Sequence, residues 1–372
     1  MIRWPLLALL LAAPLAAEVE TIFENSNFTL STPLNGNGSR EWVNTNRFRT
    51  TLSLHEGAWF ATGIGDAVNV LGQDYIDSAA YRTADAERSD TPFSTRGGTS
   101  GYGEGAFYLR LYRLYGGYAD GTHRVSFGLQ KVSMGVGRLW NPTDLFNPKN
   151  PLALEPDEVY GAFSLAYTYT LNALSQLTAV VAERRDHSFK YAGRFKGYYG
   201  GVDVALNLVE ADDVSMVGYE IEGEWGESGV GLRSEGGWFD DKLLGKTFFQ
   251  GIFGADYTFA NSFSLTGEWR YTSRTFEREL LLGLPSGAPD NRVLSKGYGG
   301  AALGYEFDAL TYGTLSAVVS SDDGSWFLAP LVTYSLSDDA TLGAGAMLYG
   351  GSAGTEFGDI HPTCYLNVKV TF

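Results

Sequence analysis

Apolar and polar side chains alternate along several stretches of the chain. The last stretch, 364–372, carries apolar side chains at every even position and polar ones at most odd positions. Successive side chains of a β-strand point to opposite faces of the sheet, so this period predicts a strand with one apolar face. The same alternation occurs at 107–112, 217–225 and 263–274. The pattern predicts an all-β protein.

Short turns alternate with longer connections between these stretches. Tight turns are predicted at 308–310 and 337–339, whereas 71–101 and 133–157 are long loops. This alternation is typical of a transmembrane antiparallel up-and-down β-barrel, with tight turns on the periplasmic side and longer outer loops. Dividing the chain in this way gives about 18 strands, with both ends of the chain in the periplasm. That count requires 189–209 to fold back on itself at 198–200, and sixteen strands is the alternative.

The barrel interpretation assigns two faces to each strand. Leu109, Ile221 and Trp269 fall on the lipid face, and charged side chains fall on the opposite face. The reverse assignment would place the three glutamates of 220–224 in hydrocarbon, at about 2–4 kcal/mol for each charge. The candidates for lining the lumen are Arg47, Arg49, Arg110, Glu220, Glu222, Glu224, Arg233, Glu268, Arg270 and Arg274. These charges, with Glu235, form either a solvated wall or a lining that selects solutes by charge.

Composition agrees with a barrel and excludes several other classes. The 372 residues are 44% hydrophobic and 14% aromatic, which is too apolar for a disordered chain. The formal charge of −16 argues against a nucleic-acid binder. One cysteine excludes an intrachain disulfide, a four-cysteine zinc site and a C-x-x-C-H haem attachment. The 22 tyrosines and 8 tryptophans suit the aromatic girdles of a membrane barrel.

The two ends of the chain suggest export and assembly. Residues 1–17 have a positive charge at Arg3, an apolar run at 6–11 and small residues at 15–17, which predicts a cleavable signal peptide. Residues 18–372 are then expected to be a single barrel domain in the cell outer membrane. The strand ending at Phe372 resembles the terminal strand of Gram-negative outer-membrane barrels. That resemblance implies that Phe372 is the signal read by the barrel assembly machinery.

The loop 133–157 is unusual because it combines large apolar side chains with four prolines. Large apolar groups gain nothing from water, and proline fixes φ and stiffens the chain. We therefore expect this loop to fold into the lumen and form a constriction. The candidate residues are Arg138, Trp140, Asp144, Phe146 and Lys149. Of these, Arg138, Asp144 and Lys149 are expected to lie in the solute path. The loop 71–101 is polar and is also long enough to fold inward.

The segment 128–144 resembles a motif of known barrels. It follows the pattern G-R-Q-x-h-x-W-G-x-G-x-x-x-x-P-x-D of porin-like barrels of proteobacteria, with Leu129 in place of the basic residue and Met134 in place of the aromatic one. The resemblance implies a porin-like outer-membrane protein and specifies no substrate. It covers this one segment, and the rest of the chain shares only general barrel features.

Motifs for catalysis are weak. Residues 350–354 match G-x-S-x-G, but a nucleophile elbow requires a turn from a strand into a helix, and this stretch is a glycine-rich loop. The four histidines are far apart in sequence, and the aspartates at 322–323 are typical turn residues. We expect no enzymatic activity, no cofactor and no metal.

Two functions remain after these exclusions, together with a membrane-embedded enzyme as the least favoured third. The first is a channel for passive passage of small polar solutes, set in outer-membrane lipid and lipopolysaccharide. The alternative is a non-conducting sheath around a partner such as a periplasmic or extracellular multihaem cytochrome. Solute identity, charge selectivity and oligomeric state do not follow from the sequence.

Overall fold

A computed structural model describes residues 18–33, 40–78, 81, 89–278 and 292–372. The predicted signal peptide therefore lies outside the described residues. The strands are β1 (Glu18–Pro33), β2 (Arg40–Glu56), β3 (Trp59–Leu71), β4 (Arg96–Tyr102), β5 (Gly105–Ala119), β6 (His123–Gln130), β7 (Ala162–Asn172), β8 (Ser175–Glu183), β9 (Phe189–Tyr199), β10 (Val202–Glu210), β11 (Val214–Glu224), β12 (Gly231–Asp241), β13 (Lys246–Thr258), β14 (Phe263–Thr272), β15 (Gly297–Asp308), β16 (Thr311–Ser320), β17 (Trp326–Ser337), β18 (Ala340–Gly350) and β19 (Thr363–Thr371). One helix, α1 (Gln73–Ile76), follows β3. In the described part of the chain, no helix has the length and apolar character needed to cross a membrane.

The strands form one closed antiparallel barrel. Each strand pairs with its neighbour in sequence, except that β3 pairs with β5 and β4 lies outside the ring. The 19 strands minus β4 give an 18-stranded ring. The predicted class and the count of 18 are confirmed, and the alternative of sixteen is wrong. The turn predicted at 198–200 is present, because β9 ends at Tyr199 and β10 begins at Val202.

The ring closes between the first and last strands. β1 pairs with β19 from Glu24 opposite Thr371 to Ser31 opposite Cys364. The last residue extends this pairing, because Phe372 N donates to Phe23 O and Phe23 N donates to Phe372 O, both at 2.9 Å. The closing seam thus continues to the final residue of the chain.

β4 accounts for part of the long loop predicted at 71–101. It pairs with the first half of β5, on the edge opposite to β3. The second half of that edge pairs with β6, which has only eight residues. β4 therefore supplies main-chain partners where β6 is too short to reach.

The outer face of the barrel is apolar and the inner face carries the charge. Leu109 and Trp269 are about half exposed on the outside, whereas Glu220 and Glu268 are buried inside. Aromatic side chains form two exposed bands near the ends of the strands, as amphipathic rings do at membrane interfaces. One band contains Trp42, Tyr191, Trp238, Trp269 and Trp326, and the other contains Trp59, Tyr169, Tyr199, Trp225 and Phe307.

A bulge in β5 alters the inward set. Ile64 of β3 is opposite Arg113, but the next residue, Gly65, is opposite Leu111, so Tyr112 is the extra residue. An extra residue reverses the parity of the strand beyond it. Arg110 and Arg113 consequently face the same lumen, although their spacing of three predicts opposite faces.

Candidate channel lumen and its inner loop

The lumen is crossed by the inner loop, which we define as residues 131–161 between β6 and β7. Its first half contacts the wall formed by β11–β14, and its second half contacts the wall formed by β2–β5. In the ring of 18, β12 is nine strands from β2, so these walls face each other. We call them the acidic wall and the arginine wall.

Three buried carboxylates of the acidic wall bind the backbone of the inner loop. Gly135 N donates to Glu220 Oε1 at 2.8 Å. Val136 N and Gly137 N donate to Glu235 Oε2 at 2.5 and 3.0 Å. The other oxygen of Glu235 accepts from the amide and the hydroxyl of Thr143, at 3.2 and 3.0 Å. Glu235 therefore joins two separate stretches of the loop.

Glu268 continues this arrangement along the loop. Its Oε1 accepts from Arg138 N at 2.5 Å, and its Oε2 accepts from Leu139 N at 2.8 Å and from Trp140 N at 3.2 Å. Six consecutive amides, 135–140, thus donate to three carboxylates on three strands. Successive backbone N–H groups are an established way to bind an anion.

Two basic side chains compensate the flanking carboxylates. Arg233 Nε donates to Glu268 at 2.9 Å, and Arg194 forms an ion pair with Glu220. Asn207 Nδ2 also donates to Glu220, at 2.7 Å. No Lys, Arg or His within the described ranges forms an ion pair with Glu235, so its hydrogen bonds come from neutral groups.

Glycines allow the inner loop to approach this wall. Gly135 has a φ of +86°, and a Cβ there would overlap Glu235 Oε2. Gly254 on β13 lies between Arg233 on β12 and Glu268 on β14, and it is the register partner of both. A Cβ on Gly254 would lie 2.7 Å from Glu268 Cγ. Any larger residue at either position would displace a carboxylate.

Apolar side chains hold the same half of the loop. Trp140 is buried against the inner wall with Ile252, Tyr298 and Phe327. Leu145 is buried in a second cluster, and Phe146 packs against that cluster. These are the apolar side chains that the sequence predicted to fold inward.

Asp144 organises the loop from within. It accepts from Met134 N at 3.1 Å, Phe146 N at 3.0 Å and Asn147 N at 2.8 Å. Burial raises its pKa to about 6, against hydrogen bonds that act in the opposite direction. With 4% of its surface exposed, Asp144 faces the backbone of the loop. This corrects the expectation that Asp144 lies in the solute path.

The two predicted basic residues of the loop lie near each other. Arg138 Nη2 contacts Glu222 Oε1 at 2.5 Å, and the Arg138 side chain remains half exposed. Lys149 Nζ donates to Gly137 O at 3.0 Å. Burial lowers the pKa of Lys149. Arg138 and Glu222 are therefore the exposed charged pair on the acidic side of the lumen.

The arginine wall binds the loop through side chains. Arg47 forms two hydrogen bonds of 2.8 Å with Glu155. Arg49 binds Glu158 at 2.7 and 2.9 Å and Asp66 at 2.7 Å. Burial of Glu158 acts to raise its pKa, but the hydrogen bond from Arg49 and the charge of Arg47 outweigh burial and lower it to about 2.

Tyr112 and Arg113 complete this wall at the bulge. The guanidinium groups of Arg49 and Arg113 lie 4.0 and 4.1 Å from the centre of the Tyr112 ring, which is cation–π distance. Arg113 Nη2 donates to Val159 O of the inner loop at 2.7 Å. Arg110 binds Asp66 at 2.6 Å. The alternation of side chains along an unbroken strand would place Arg113 on the outer face, but the bulge places it in the arginine wall.

A cavity of about 430 Å³ lies beside the start of the inner loop. Its lining includes four basic residues and contains no carboxylate among the described residues. The basic residues are Arg113, Arg124, Lys131 and Arg194. Hydroxyls of Ser126, Thr168 and Thr178 and two tyrosines also line it. The cavity presents positive charge and hydrogen-bond donors to any solute inside it.

The remaining predicted residues are dispersed. Glu224 accepts from a backbone amide of its own turn at 2.7 Å, so it stabilises that turn. Arg270 donates to Gln250 at 3.0 Å and borders the inner loop. Arg274 is exposed beyond the end of β14, and Phe372 is exposed on the outer face at the closing seam. The structure does not bring these four residues together.

Several residues or contacts of the site were not predicted from the sequence. Glu235 was predicted to belong to the charged lumen wall, opposite Glu220 on the neighbouring strand, but its contact with the loop was not predicted. Arg113 could not be predicted as an inward residue, because the bulge changes the face of the strand on which it lies. Glu155 and Glu158 are ordinary loop carboxylates until the arginine wall gives them partners.

A closed 18-stranded barrel with a loop folded across its lumen defines the class of porin-like barrels. Similar solved structures include OccK5 (OpdH) of Pseudomonas aeruginosa, with a TM-score of 0.61, 10% identity, and coverage of 95% of this chain and 98% of that one. OccAB4 of Acinetobacter baumannii has a TM-score of 0.60, 10% identity, and the same coverages. OpdK of P. aeruginosa, crystallised with vanillate, has a TM-score of 0.56 and 8% identity, covering 96% of this chain and 98% of that one.

These similarities establish the fold over almost the whole chain. No protein-family model matches the sequence, and no curated protein sequence matches it. At 8–10% identity, the shared property is the barrel architecture.

Proposed function

We propose that the protein is an outer-membrane channel for passive passage of small polar solutes, with the inner loop as its constriction and a preference for anions. The observation that carries this proposal is the basic cavity beside the loop. Arg113, Arg124, Lys131 and Arg194 line it, and no described carboxylate shares that lining. Arg194 is paired with Glu220 behind the lining, whereas the other three form no ion pair with a described carboxylate. Rings and clusters of one charge in a pore favour the passage of the opposite charge.

The distribution of carboxylates supports anion preference despite the negative charge of the whole chain. Glu220, Glu235 and Glu268 are buried and bonded to loop amides or basic side chains. They are therefore withdrawn from the solute path. Among the similar structures, that of OpdK was determined with vanillate, a small aromatic carboxylate. A solute of that kind suits the basic cavity.

The sheath alternative is not supported. The inner loop crosses from one wall to the opposite wall and contacts both. A partner protein within the barrel would have to displace this loop and the buried side chains that fix it. We also propose no enzymatic role, because residues 350–354 end a strand without opening a helix.

The proposal is tested by recording single channels in planar bilayers. We expect stepwise conductance, and in a KCl gradient we expect a reversal potential that shows anion preference. Lys131→Gln removes one cation of the cavity and should shift the reversal potential towards the cation side. Lys246→Gln is the matched control, because Lys246 is the first residue of β13 and does not line the cavity. This variant should leave the reversal potential unchanged.

Two results would contradict the proposal. Absence of conductance from folded protein rejects the channel. Cation preference in the wild type, or equal shifts from both lysine variants, rejects the basic cavity as the selective element.

A further inference from the structure

We propose that Glu235 is the positioning residue of the inner loop, and that loss of either of its carboxylate oxygens as a hydrogen-bond acceptor releases the loop from the acidic wall. This inference rests on the proposed channel function, because it concerns the element that we identify as the constriction.

Glu235 differs from its two neighbours in what it binds. Glu220 divides its hydrogen bonds between the loop and the wall, since it also binds Arg194 and Asn207. Glu268 likewise binds Arg233. All four described hydrogen bonds of Glu235 come from the inner loop. Its carboxylate therefore serves the loop alone.

Glu235 joins two points of the loop that are several residues apart. One oxygen binds the amides of Val136 and Gly137, and the other binds Thr143. Between these points lies Trp140, whose ring is buried in an apolar cluster that includes Ile252, the residue of β13 opposite Glu235. Releasing Glu235 would free both ends of the segment that Trp140 inserts into the wall.

The arrangement needs an acceptor at both oxygens. A carboxylate has two acceptor oxygens, whereas the amide of a glutamine side chain has one oxygen and one NH2 donor. Each oxygen of Glu235 receives at least one backbone N–H of the loop, so the NH2 group of a glutamine at this position would face a backbone N–H in either orientation. That N–H loses its acceptor, and a buried N–H left without a partner is costly.

The charges that face Glu235 come from every neighbouring element. Glu220 lies directly opposite on β11, and Arg233 lies two residues before Glu235 on the same face of β12. The other facing groups are Arg194 on β9, Glu222 on β11, Asp256 on β13, Glu268 on β14, and Arg138 and Asp144 on the inner loop. The basic groups of the strands are paired with Glu220, Glu268 and Asp256, and Arg138 is paired with Glu222. Glu235 holds its charge with neutral donors.

The inference is tested by hydrogen exchange on the folded barrel in detergent, read at the amides of 135–141 and of Thr143. Glu235→Gln keeps the shape of the side chain and replaces one acceptor oxygen with an NH2 donor. We expect its amides to exchange at pH 7 on the order of 10-fold faster than those of the wild type, as loss of a hydrogen bond to a charged acceptor predicts.

Glu222→Gln is the matched control. Glu222 also faces inward from β11 and contacts the loop, but only through the side chain of Arg138. We expect this variant to exchange like the wild type at pH 7. Should Glu235→Gln fail to fold, Gly135→Ala decides the matter, because its Cβ would displace Glu235 Oε2 without altering the strands. It should exchange as fast as expected for Glu235→Gln.

Conductance separates this inference from the proposed function. If both hold, Glu235→Gln shows a higher single-channel conductance than the wild type at pH 7, because a released loop restricts the pore less. Absence of wild-type conductance rejects the channel, while exchange still decides the role of Glu235. Exchange in Glu235→Gln equal to that of the wild type rejects the inference and leaves the channel intact.

Discussion

The two walls that hold the inner loop do so by different chemistry. The acidic wall binds backbone amides with buried carboxylates, so it fixes the path of the chain with little regard to side chains. The arginine wall binds Glu155 and Glu158, whose side chains keep about a quarter to a third of their surface exposed. Buried contacts are costly to break, whereas exposed ion pairs contribute little. One half of the loop is thus a fixed support and the other half is adjustable.

This difference also decides which charges reach a solute. On the acidic wall, the carboxylates are buried beneath the inner loop and hydrogen-bonded to its amides, so their negative charge does not face a solute. On the arginine side, Arg113 uses its guanidinium on carbonyl oxygens and on Tyr112, so its positive charge is not cancelled by a direct carboxylate partner in the described structure. The lumen can therefore favour anions in a chain whose formal charge is −16.

Deleting 140–151 removes Trp140, Leu145 and Phe146, the apolar anchors of the loop, together with the hydrogen bonds of Thr143 to Glu235, and has the largest expected effect. Because Trp140 and the loop backbone leave the lumen, we expect single-channel conductance to rise several-fold. The deletion spares Glu155 and Glu158, so the arginine wall keeps its partners. Folding is checked by the heat-dependent shift of the barrel in gel electrophoresis. A folded deletion variant with wild-type conductance would show that the loop does not restrict the pore.

Removing one carboxylate from each wall compares them directly. Glu268→Ala leaves three loop amides without their buried acceptor, while Arg233 keeps Asp256 as its partner, and we expect it to cost about 3–5 kcal/mol of unfolding free energy. Glu158→Ala leaves Arg49 still bound to Asp66, and we expect a cost of about 1 kcal/mol. The measurement is urea unfolding in lipid vesicles.

Equal losses in the two variants would contradict the distinction between a fixed and an adjustable wall. Asp186→Ala serves as the control for loss of a carboxylate, since Asp186 is an exposed loop residue that binds only its own turn.

The sequence predicts the barrel because its signals are local and repeated. Alternation, turns and the position of Leu109 against Glu220 each follow from the period of a strand. Interruptions of that period are where prediction fails. Gly116 and Gly117 look like a turn, yet both lie within β5, where a Cβ on Gly117 would overlap the backbone of the neighbouring strand β6. The bulge that turns Arg113 inward is equally invisible in the pattern.

The residue types that form the site could be predicted from the sequence, but the contacts between them could not. Trp140 and Phe146 identify an inward-folding loop because apolar side chains require burial. Which carboxylate meets which amide depends on the register of strands that are far apart in sequence. Glu235 and Val136 are 99 residues apart, and no local pattern specifies their contact.

The last prediction concerns Asp144, which supports the loop from inside. In the folded protein its pKa is about 6, raised by burial from the ordinary 3.8. The folded state therefore binds a proton more tightly than the unfolded chain does. The stability contributed by protonation is fully present below pH 3.8 and is lost as the pH rises through 6. We expect Asp144→Asn to improve relative to the wild type by about 1.4 kcal/mol between pH 5 and pH 7.5.

This prediction is measured as the difference in unfolding free energy between Asp144→Asn and the wild type at those two pH values. Asp338→Asn, at an exposed short turn, controls for the loss of a negative charge. Because the amide side chain of the variant would retain one acceptor oxygen, it keeps part of the hydrogen bonding to Phe146 and Asn147. The pH dependence, and not the absolute stability, therefore reports on burial of the charge. A gap between variant and wild type that is the same at both pH values would show that Asp144 is solvated, and hence that the inner loop lies less tightly packed in the lumen than its contacts indicate.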